Sequence, residues 1–216
     1  MKNLIIIPAR SGSKRLKNKN LKKLGSYSLV ERAIMFAKKI NITPYILITT
    51  DSREVLKLGV KHGVLTPWLR PKSLSGDKSE SIEFLFHSVK WFEKTFGKID
   101  NIILLQPTSP YRSIKTFKKM YEIFKIKKNS IVTISKYDNS SKNKFIIYGG
   151  KLKKKKQVSK DLLYKINGNI YINSVKNLLK YKTFANKETI PFLLKNKKEI
   201  IDIDYFKDFN LAKKYI

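Results

Sequence analysis

A loop crowded with cations follows the first apolar run of the chain. The segment "IPARSGSKRLKNKN", from Ile7 to Asn20, combines small residues with Arg10 and Lys14. The backbone N–H groups of such a loop can turn toward an anion, a guanidinium adds a bidentate fork, and an ammonium adds a point charge. The glycine spacing of the Walker A and GxGxxG motifs is missing. A phosphate cradle and a solvated basic turn are therefore equally good interpretations of these residues alone.

Two aspartates in the segment "IIDID" have the spacing of a metal site. In an extended backbone, Asp202 and Asp204 share one face, and Ile201 and Ile203 share the other. Neighbouring carboxylates repel unless a cation lies between them, and Mg²⁺ is a natural hard dication for oxygen ligands. Capping of the final helix would explain Asp204 but not Asp202. We therefore favour a metal site at this pair.

Two further polar loops suit a ligand, although each also has a purely structural explanation. "QPTSPYR", from Gln106 to Arg112, holds an amide, hydroxyls and a guanidinium between prolines that fix the backbone, which suits a polyhydroxylated ligand. A rigid β-to-α turn capped by Ser113 explains the same residues equally well. "RPKSLSGDKSES", from Arg70 to Ser81, precedes a helix, and its Asp77 and Glu80 resemble a capping box.

Apolar periodicity predicts the elements that position these loops. Strands are predicted in "NLIIIPA", "PYILITTD", "IDNIILL", "SIVTIS", "GNIYINS" and "EIIDIDYF". Helices are predicted from Ser28 to Ile40, from a capping box of Asp51 and Glu54 to about His62, and in "SIEFLFHSVKWFEKTF", "SIKTFKKMYEIFKI" and "DFNLAKKYI". Strands separated by helices indicate right-handed crossovers, so we predict an α/β protein with a mainly parallel sheet.

Four polar segments fall at the carboxyl ends of predicted strands: "PARSGSKRLKNKN", "TTDS", "QPTSPYR" and "DID". Because ligands of open parallel sheets bind beyond these ends, we expect the four segments to line one crevice. His62 and His87 lie in helical segments far apart in the sequence. They are predicted to be surface or core residues rather than catalytic ones.

The pattern of alternating strands and helices changes after about Lys136. "KFIIYGGKLKKKKQ" predicts a hairpin, the residues from Lys151 to Tyr164 are polar, and strand character returns at "GNIYINS". A chain of 216 residues can bury one α/β core. We therefore predict a single domain over residues 1–216, with an inserted excursion at about 136–165.

Composition narrows the possible partners. The formal net charge of +31 attracts nucleic acid, anionic membranes or phosphorylated substrates. Only 6 of the 47 basic residues are arginines, and the lysines spread along the whole chain, so we favour a genome-wide compositional bias over specific nucleic-acid binding. The absence of cysteine excludes disulfides and a thiol nucleophile. No apolar run suits a membrane span or signal peptide, so a cytoplasmic protein is expected.

The polar segments, in this order, resemble those of the acylneuraminate cytidylyltransferase family, the CMP-sialic acid synthetases and their relatives for pseudaminic and legionaminic acids. The matching pieces are "IPARSGSKRLKNKN", "ITTDS", "RPKSLSGDKSES", "LLQPTSPYR", "NGNIYI" and "IDIDYFKDF". The resemblance implies a Rossmann-like, three-layer α/β/α nucleotidyltransferase domain and a homodimer joined through the excursion. It also implies a reaction of cell-surface polysaccharide synthesis. In that reaction the anomeric hydroxyl of a nonulosonic acid attacks the α-phosphorus of CTP, pyrophosphate leaves, and Mg²⁺ serves as cofactor.

The resemblance also implies roles for single residues. Those implied to bind CTP are Arg10 and Lys14 on the phosphates, Ser11 and Gly12 in the same loop, Asn20 on the ribose or phosphates, and Arg70, Ser79 and Ser81 around the cytosine. Those implied to bind the sugar acid are Gln106, Thr108, Ser109, Lys165 and Tyr171. The residues implied to be catalytic are Arg10, Lys14, Asp202 and Asp204, and the two aspartates are the implied Mg²⁺ ligands.

Three positions depart from the family pattern. Lys165 stands where members often carry an arginine before the Asn–Gly pair, and Asn169 replaces the usual alanine after it. Lys156–Gln157 matches an Arg–Gln pair only loosely. These positions bear on the grip of pyrophosphate and on sugar specificity, because lysine cannot fork onto a phosphate as arginine does.

Two alternative functions would require other sequence features. A 3-deoxy-octulosonate cytidylyltransferase would carry a different first loop, so "RSGSKRLKNKN" favours the nonulosonate branch. A non-catalytic nucleic-acid-binding protein would show a contiguous basic face with interleaved aromatic residues. The sequence shows neither of these features, since its aromatic residues fall at core spacings.

Overall fold

The computed structural model of the chain describes residues 1–76, 81–137, 144–155 and 162–216. Three features of the sequence lie outside these ranges: Ser79, the Asp77–Glu80 capping box and the loose match at Lys156–Gln157. The ranges include every other residue singled out above.

Strands and helices alternate through most of the chain, as predicted. The strands are β1 (Asn3–Pro8), β2 (Lys23–Leu24), β3 (Tyr27–Ser28), β4 (Ile46–Thr49), β5 (Asn101–Leu104), β6 (Ile131–Lys136), β7 (Lys144–Tyr148), β8 (Lys151–Lys155), β9 (Tyr164–Ser174) and β10 (Ile190–Leu193). The helices are α1 (Leu29–Ile40), α2 (Arg53–Lys61), α3 (Ser81–Phe96), α4 (Ile114–Lys127), α5 (Val175–Tyr181) and α6 (Phe206–Lys213).

The main sheet is mostly parallel. Its central strands run in the order β10-β6-β9-β5-β1-β4. β1 is parallel to β4 and β5, and β10 is parallel to β6, whereas β9 is antiparallel to both of its neighbours. Helices cover both faces, because apolar side chains of the buried strands point to both sides. The predicted Rossmann-like α/β fold is confirmed.

Three apolar clusters hold the domain together. One packs α1 and α4 on one face of the sheet, around residues such as Ile34 and Phe117. The second packs α3 and α5 on the other face, around residues such as Phe92 and Leu178. The third, which we call the satellite core, lies outside the sheet and comprises Leu16, Leu24, Leu29, Ile201, Ile203, Phe209 and Ala212.

Helix capping agrees with the sequence at two of three predicted starts. Ser28 caps α1 in a capping box with Glu31, and Ser113 caps α4. The predicted capping box of Asp51 and Glu54 is wrong, because the hydroxyl of Ser52 accepts the N–H of Val55 at the start of α2. The carboxylate of Asp51 is engaged elsewhere, as described below.

The predicted strand "EIIDIDYF" is also wrong. Residues 201–204 belong to no strand, and the N–H of Ile203 donates to the carbonyl of Thr108 over 2.8 Å. Their burial nevertheless alternates, because Ile201 and Ile203 are buried in the satellite core while Asp202 and Asp204 are only half-buried. The last strand of the sheet is instead β10, which the sequence analysis missed together with α5.

The predicted hairpin is present as β7 and β8, joined through Gly149 and Gly150, both at positive φ. The hairpin meets the sheet where Phe145 pairs with Tyr164 at the start of β9. Further along, β9 bulges: Tyr171 pairs with Val132, but Ile166 pairs with Ile134. This bulge, residues 167–170, re-aims the β9 backbone next to the candidate site.

Candidate active site

A cleft of about 640 Å³ opens at the carboxyl ends of the central strands. The loop after β1, the loop before α3, the loop after β5 and the segment 201–204 all contribute to it. Its lining residues include Arg10, Ser13, Lys14, Arg15, Lys19, Asn20, Arg70, Ser81, Gln106, Thr108, Asp202 and Asp204. Three of the four polar segments predicted to line one crevice therefore meet at the expected edge of the sheet, whereas "TTDS" contributes no lining residue.

The cationic loop and the acidic segment meet directly across this cleft. Asp204 accepts hydrogen bonds from Arg15 Nη1 at 3.1 Å and from Lys19 Nζ at 2.8 Å. The sequence analysis singled out neither Arg15 nor Lys19. Lysines are so common in this chain that Lys19 carries little information. Arg15 is one of only 6 arginines, and that rarity was the available signal.

The satellite core explains why the two segments meet. Leu16 and Leu24 from the N-terminal part of the chain pack with Ile201, Ile203 and Phe209 from the C-terminal part. Because side chains alternate along an extended backbone, burial of the two isoleucines turns the intervening aspartates toward the cleft. Asp202 and Asp204 therefore share one side of the segment, as the "IIDID" pattern predicted, although the segment lies outside the sheet.

Asp202 lies in an environment that disfavours its charge. Burial raises its pKa to about 6, and the charge of Asp204 adds to the rise, while a hydrogen bond from Thr108 and the charges of Lys19 and Lys165 oppose it. Its Oδ1 atom is buried without a hydrogen-bond partner. A buried carboxylate oxygen that lacks a partner, beside a second carboxylate, suits a divalent cation.

The protein offers few possible metal ligands beside Asp202 and Asp204. Across the residues that the structure describes, no group of three or more histidine or acidic side chains is arranged to hold a metal. Asp202 and Asp204 would therefore supply two protein ligands, and substrate phosphates and water would supply the rest. Mg²⁺ commonly binds in this way, through one or two carboxylates and the phosphates of a substrate.

The predicted phosphate-binding residues do not all face the cleft. Arg10, Lys14 and Asn20 line it, and the buried Asn20 donates to the carbonyl of Arg10 at 2.9 Å, which fixes the loop. Ser11 turns away, since its N–H and hydroxyl both donate to Asp51, at 2.6 and 2.8 Å. Gly12 lies beside Ser11 and is absent from the cleft lining.

Arg70 is held in a buried position at the edge of the cleft. Its Nη2 donates to the carbonyl of Thr49 at 2.6 Å, and its guanidinium lies 4.9 Å from the ring centroid of Phe84. Burial lowers the pKa of Arg70 to about 10, with a further contribution from Arg10 and an opposing one from Asp51. The side chain therefore stays cationic at neutral pH, and Ser81 lines the cleft beside it.

A second cavity of about 420 Å³ adjoins the cleft, and Ser81 and Gln106 line both. Much of its wall is apolar: Ile82, Leu85, Leu104, Phe145, Ile166, Phe184 and Ala185. Tyr171 also lines it, with its ring 5.4 Å from that of Phe184. Burial raises the pKa of the Tyr171 hydroxyl, and the charge of Asp202 adds to the effect.

The Gln106 loop packs tightly on the β9 bulge. The hydroxyl of the buried Ser109 donates to the carbonyl of Asn167 at 3.0 Å. Gly168 has a φ of 75°, and a Cβ at this position would lie 2.3 Å from Oε1 of Gln106. Only glycine fits there, because the conformation is left-handed and the space is already filled.

The sequence of the chain matches a known protein family over most of its length. The sequence model described as cytidylyltransferase matches residues 4–213 of the chain. The chain belongs to the cytidylyltransferase family. As a member it is a nucleotidyltransferase, and the resemblance noted in the sequence is confirmed.

Relatives within the family cover nearly the whole chain. A CMP-N,N'-diacetyllegionaminic acid synthase of Legionella pneumophila is 34% identical, over 99% of this chain and 96% of its own length. An N-acylneuraminate cytidylyltransferase of Escherichia coli is 30% identical, over 98% of this chain and 51% of its own length. A solved CMP:2-keto-3-deoxy-manno-octonic acid synthetase in complex with CTP has a TM-score of 0.74 at 15% identity, covering 100% of this chain and 98% of its own. At this level of identity, the similarity to the solved structure concerns the fold alone.

Cytidylyl transfer depends on positioning and charge neutralisation rather than on a covalent nucleophile. The cleft of this cytidylyltransferase concentrates cations and two carboxylates accordingly.

Lys165, which was predicted to bind the sugar acid, does not line either cavity. It is nearly buried in β9, although its charge lowers the pKa of Asp202.

No helix within the described ranges is both long and apolar enough to cross a bilayer.

Proposed function

We propose that the protein transfers CMP from CTP to the anomeric hydroxyl of a nonulosonic, sialic-acid-like sugar acid, in a reaction that requires Mg²⁺ and releases pyrophosphate. The Legionella relative, a CMP-N,N'-diacetyllegionaminic acid synthase, and the Escherichia coli relative, an N-acylneuraminate cytidylyltransferase, support this substrate class. The proposal includes a cytoplasmic location and a place in cell-surface polysaccharide synthesis.

The observation that carries the proposal is the junction of the two cavities at Ser81 and Gln106. The larger cleft offers cations and a carboxylate pair, as a nucleoside triphosphate with a metal requires. The smaller cavity offers an amide, a phenol and an apolar wall, which suit a sugar acid with acyl or methyl substituents. Donor and acceptor would therefore meet near Gln106, within reach of Asp202.

In the proposed reaction, the acceptor oxygen forms a bond to the α-phosphorus while the bond to the bridging oxygen of pyrophosphate breaks. The proton of the acceptor hydroxyl leaves to solvent or to a nearby base. Arg10, Lys14 and Lys19 hold phosphate oxygens and neutralise their charge. Asp202 and Asp204 would hold Mg²⁺, which would supply charge withdrawal from the phosphates.

Recognition is divided between the two cavities. Arg70, with Ser81, faces the cytosine, and Asn20 fixes the loop and reaches the ribose or the phosphates. Gln106 and Thr108, with the hydroxyl of Tyr171, contact the sugar acid. Ser109 supports this loop from behind through its bond to Asn167.

We also propose a homodimer that uses the β7–β8 hairpin. Ile147 and Tyr148 on the hairpin are 39% and 64% exposed, which leaves apolar surface available for a second copy. Light scattering on the wild type and on an Ile147→Lys, Tyr148→Lys double variant would test this. A monomeric wild type, or an unchanged dimer in the variant, would contradict it.

The reaction is tested by pyrophosphate release from CTP, UTP and ATP with a panel of keto-deoxy sugar acids that includes octulosonic and nonulosonic members. We expect release with CTP and a nonulosonic acid, and loss of release in EDTA. Preference for the octulosonic acid would reassign the acceptor class. Absence of release with every acid would reject the proposed function.

A further inference from the structure

Arg112 closes the Gln106 loop on the β9 bulge. Its Nε donates to the carbonyl of Asn169 at 2.8 Å, and its Nη2 donates to the carbonyl of Gln106. The guanidinium lies 5.8 Å from the ring centroid of Phe36 in α1. The planar guanidinium therefore fixes two backbone segments at once, because two of its nitrogens donate from fixed positions in one rigid group.

The same loop also positions the segment that carries the aspartates. Nδ2 of Asn169 donates to the carbonyls of Tyr111 and Glu199, each at 2.8 Å. The carboxylate of Glu199 accepts from the N–H of Ser113 at 2.9 Å, directly after Arg112. Through these bonds, Asn169 and Glu199 connect the Gln106 loop with the segment that leads to Asp202.

The hydrogen bonds of Arg112 come from two of its three guanidinium nitrogens. Nη1 is buried without a hydrogen-bond partner. Nε and Nη2 therefore hold the two backbone segments, from positions that the single nitrogen of a lysine cannot both occupy.

We propose that Arg112 is a positioning residue for the transfer, which holds Gln106 in place through the backbone. This inference rests on the proposed function. Arg112 is absent from the lining of both cavities, whereas Gln106 lines both, so the effect of Arg112 on the reaction passes through Gln106.

The first test compares Arg112→Lys with Arg32→Lys. Arg32 is a matched control, because its Nε and Nη2 also donate to a backbone carbonyl, that of Leu24, and its guanidinium also packs on an aromatic ring, that of Tyr111. Lysine keeps the charge at both positions but cannot fork. We expect Arg112→Lys to lower kcat/KM for the sugar acid about 10- to 100-fold while the calorimetric Kd of CTP stays within about twofold.

Arg32→Lys should lower the melting temperature but leave kcat/KM for the sugar acid within about twofold of the wild type. The positioning role is rejected if Arg112→Lys keeps its kcat/KM, if it loses CTP affinity in parallel, or if Arg32→Lys loses as much activity as Arg112→Lys does.

The second test needs no substrate. Native-state hydrogen exchange is measured for the amide of Ser109, which donates to the carbonyl of Gln106. We expect this amide to exchange faster in Arg112→Lys than in the wild type, because the loop has lost one of its two supports, and to exchange at the wild-type rate in Arg32→Lys.

Equal exchange of this amide in Arg112→Lys and the wild type would overturn the positioning role. The two proposals fail separately: a wild type that transfers CMP to no sugar acid rejects the proposed function, whereas hydrogen exchange still decides whether Arg112 holds the Gln106 loop.

Discussion

Lys19 Nζ lies 2.8 Å from Oδ1 of Asp204, although 185 positions separate the two residues. The side chain of Lys19 is 13% exposed and that of Asp204 45%. An ion pair with so exposed a carboxylate contributes little to stability, because water screens it. What the pair does show is that the cationic loop and the acidic segment meet at one point of the cleft.

Asp204→Asn should abolish turnover in Mg²⁺, with a loss of at least about 100-fold, because the metal pair loses one carboxylate. Binding of CTP in EDTA should be retained or tightened, since Lys19 and Arg15 are then free for phosphates. Turnover and calorimetry measure the two effects. Asp100→Asn, which removes an exposed carboxylate that accepts from the N–H of Lys2, is the control and should change neither. Near-normal turnover in Asp204→Asn would remove the metal assignment.

Asp202→Asn should stabilise the free protein at neutral pH while it destroys activity. The folded-state pKa of about 6 exceeds the ordinary value of 3.8. The carboxyl group therefore favours the folded state most below pH 4, and this contribution is lost as the pH rises through 6. The asparagine removes that loss, so its advantage should grow between pH 4 and pH 6 to roughly 1–3 kcal/mol. Melting temperatures across this range check it, and an advantage that shrinks with pH would contradict the assigned pKa.

Arg70→Lys should reduce both the affinity for CTP and the preference for CTP over UTP and ATP. Lysine keeps a charge but loses the planar stacking on Phe84 and the geometry of the bond to Thr49. We expect a loss of about tenfold in CTP affinity, from one charge-assisted contact. Calorimetry with the three nucleotides measures it. Equal affinities of the wild type for all three would refute the assigned base pocket.

Lys165→Arg should destabilise the protein rather than improve its grip on pyrophosphate. Lys165 is 9% exposed and paired with Ser135 inside the sheet, so a larger head group overfills its surroundings. Overpacking of this kind costs about 1–3 kcal/mol. Chemical denaturation measures the change. Unchanged stability with a lower KM for CTP would instead place the Lys165 side chain against the phosphates.

Much of the fold follows from local signals in the sequence. α1 has helical apolar spacing and a capping box at Ser28, and both are decided within a few residues. β10 was missed because a four-residue strand with Pro191 has no alternating pattern and depends on its neighbour β6. The segment around Asp202 was predicted as a strand because its alternation is genuine, but the partner that buries its isoleucines is the satellite core rather than a sheet.

The candidate site was predictable where residue types are unusual and hidden where they are common. Asp202 and Asp204 are conspicuous because acidic residues are rare in this chain. Lys19 is inconspicuous because lysines are abundant, and Ser11 resembled a ligand-binding residue until its bonds to Asp51 were known. Contacts between distant segments, such as Arg112 with Asn169, have no local signature at all.

The satellite core places a constraint on biosynthesis. Leu16 and Leu24 are synthesised well before Ile201, Ile203 and Phe209. The cationic loop therefore acquires the floor that orients it only when this later segment has emerged from the ribosome. On the proposed function, a nascent chain that stops before Ile201 would lack both this floor and the two aspartates, and would not transfer CMP.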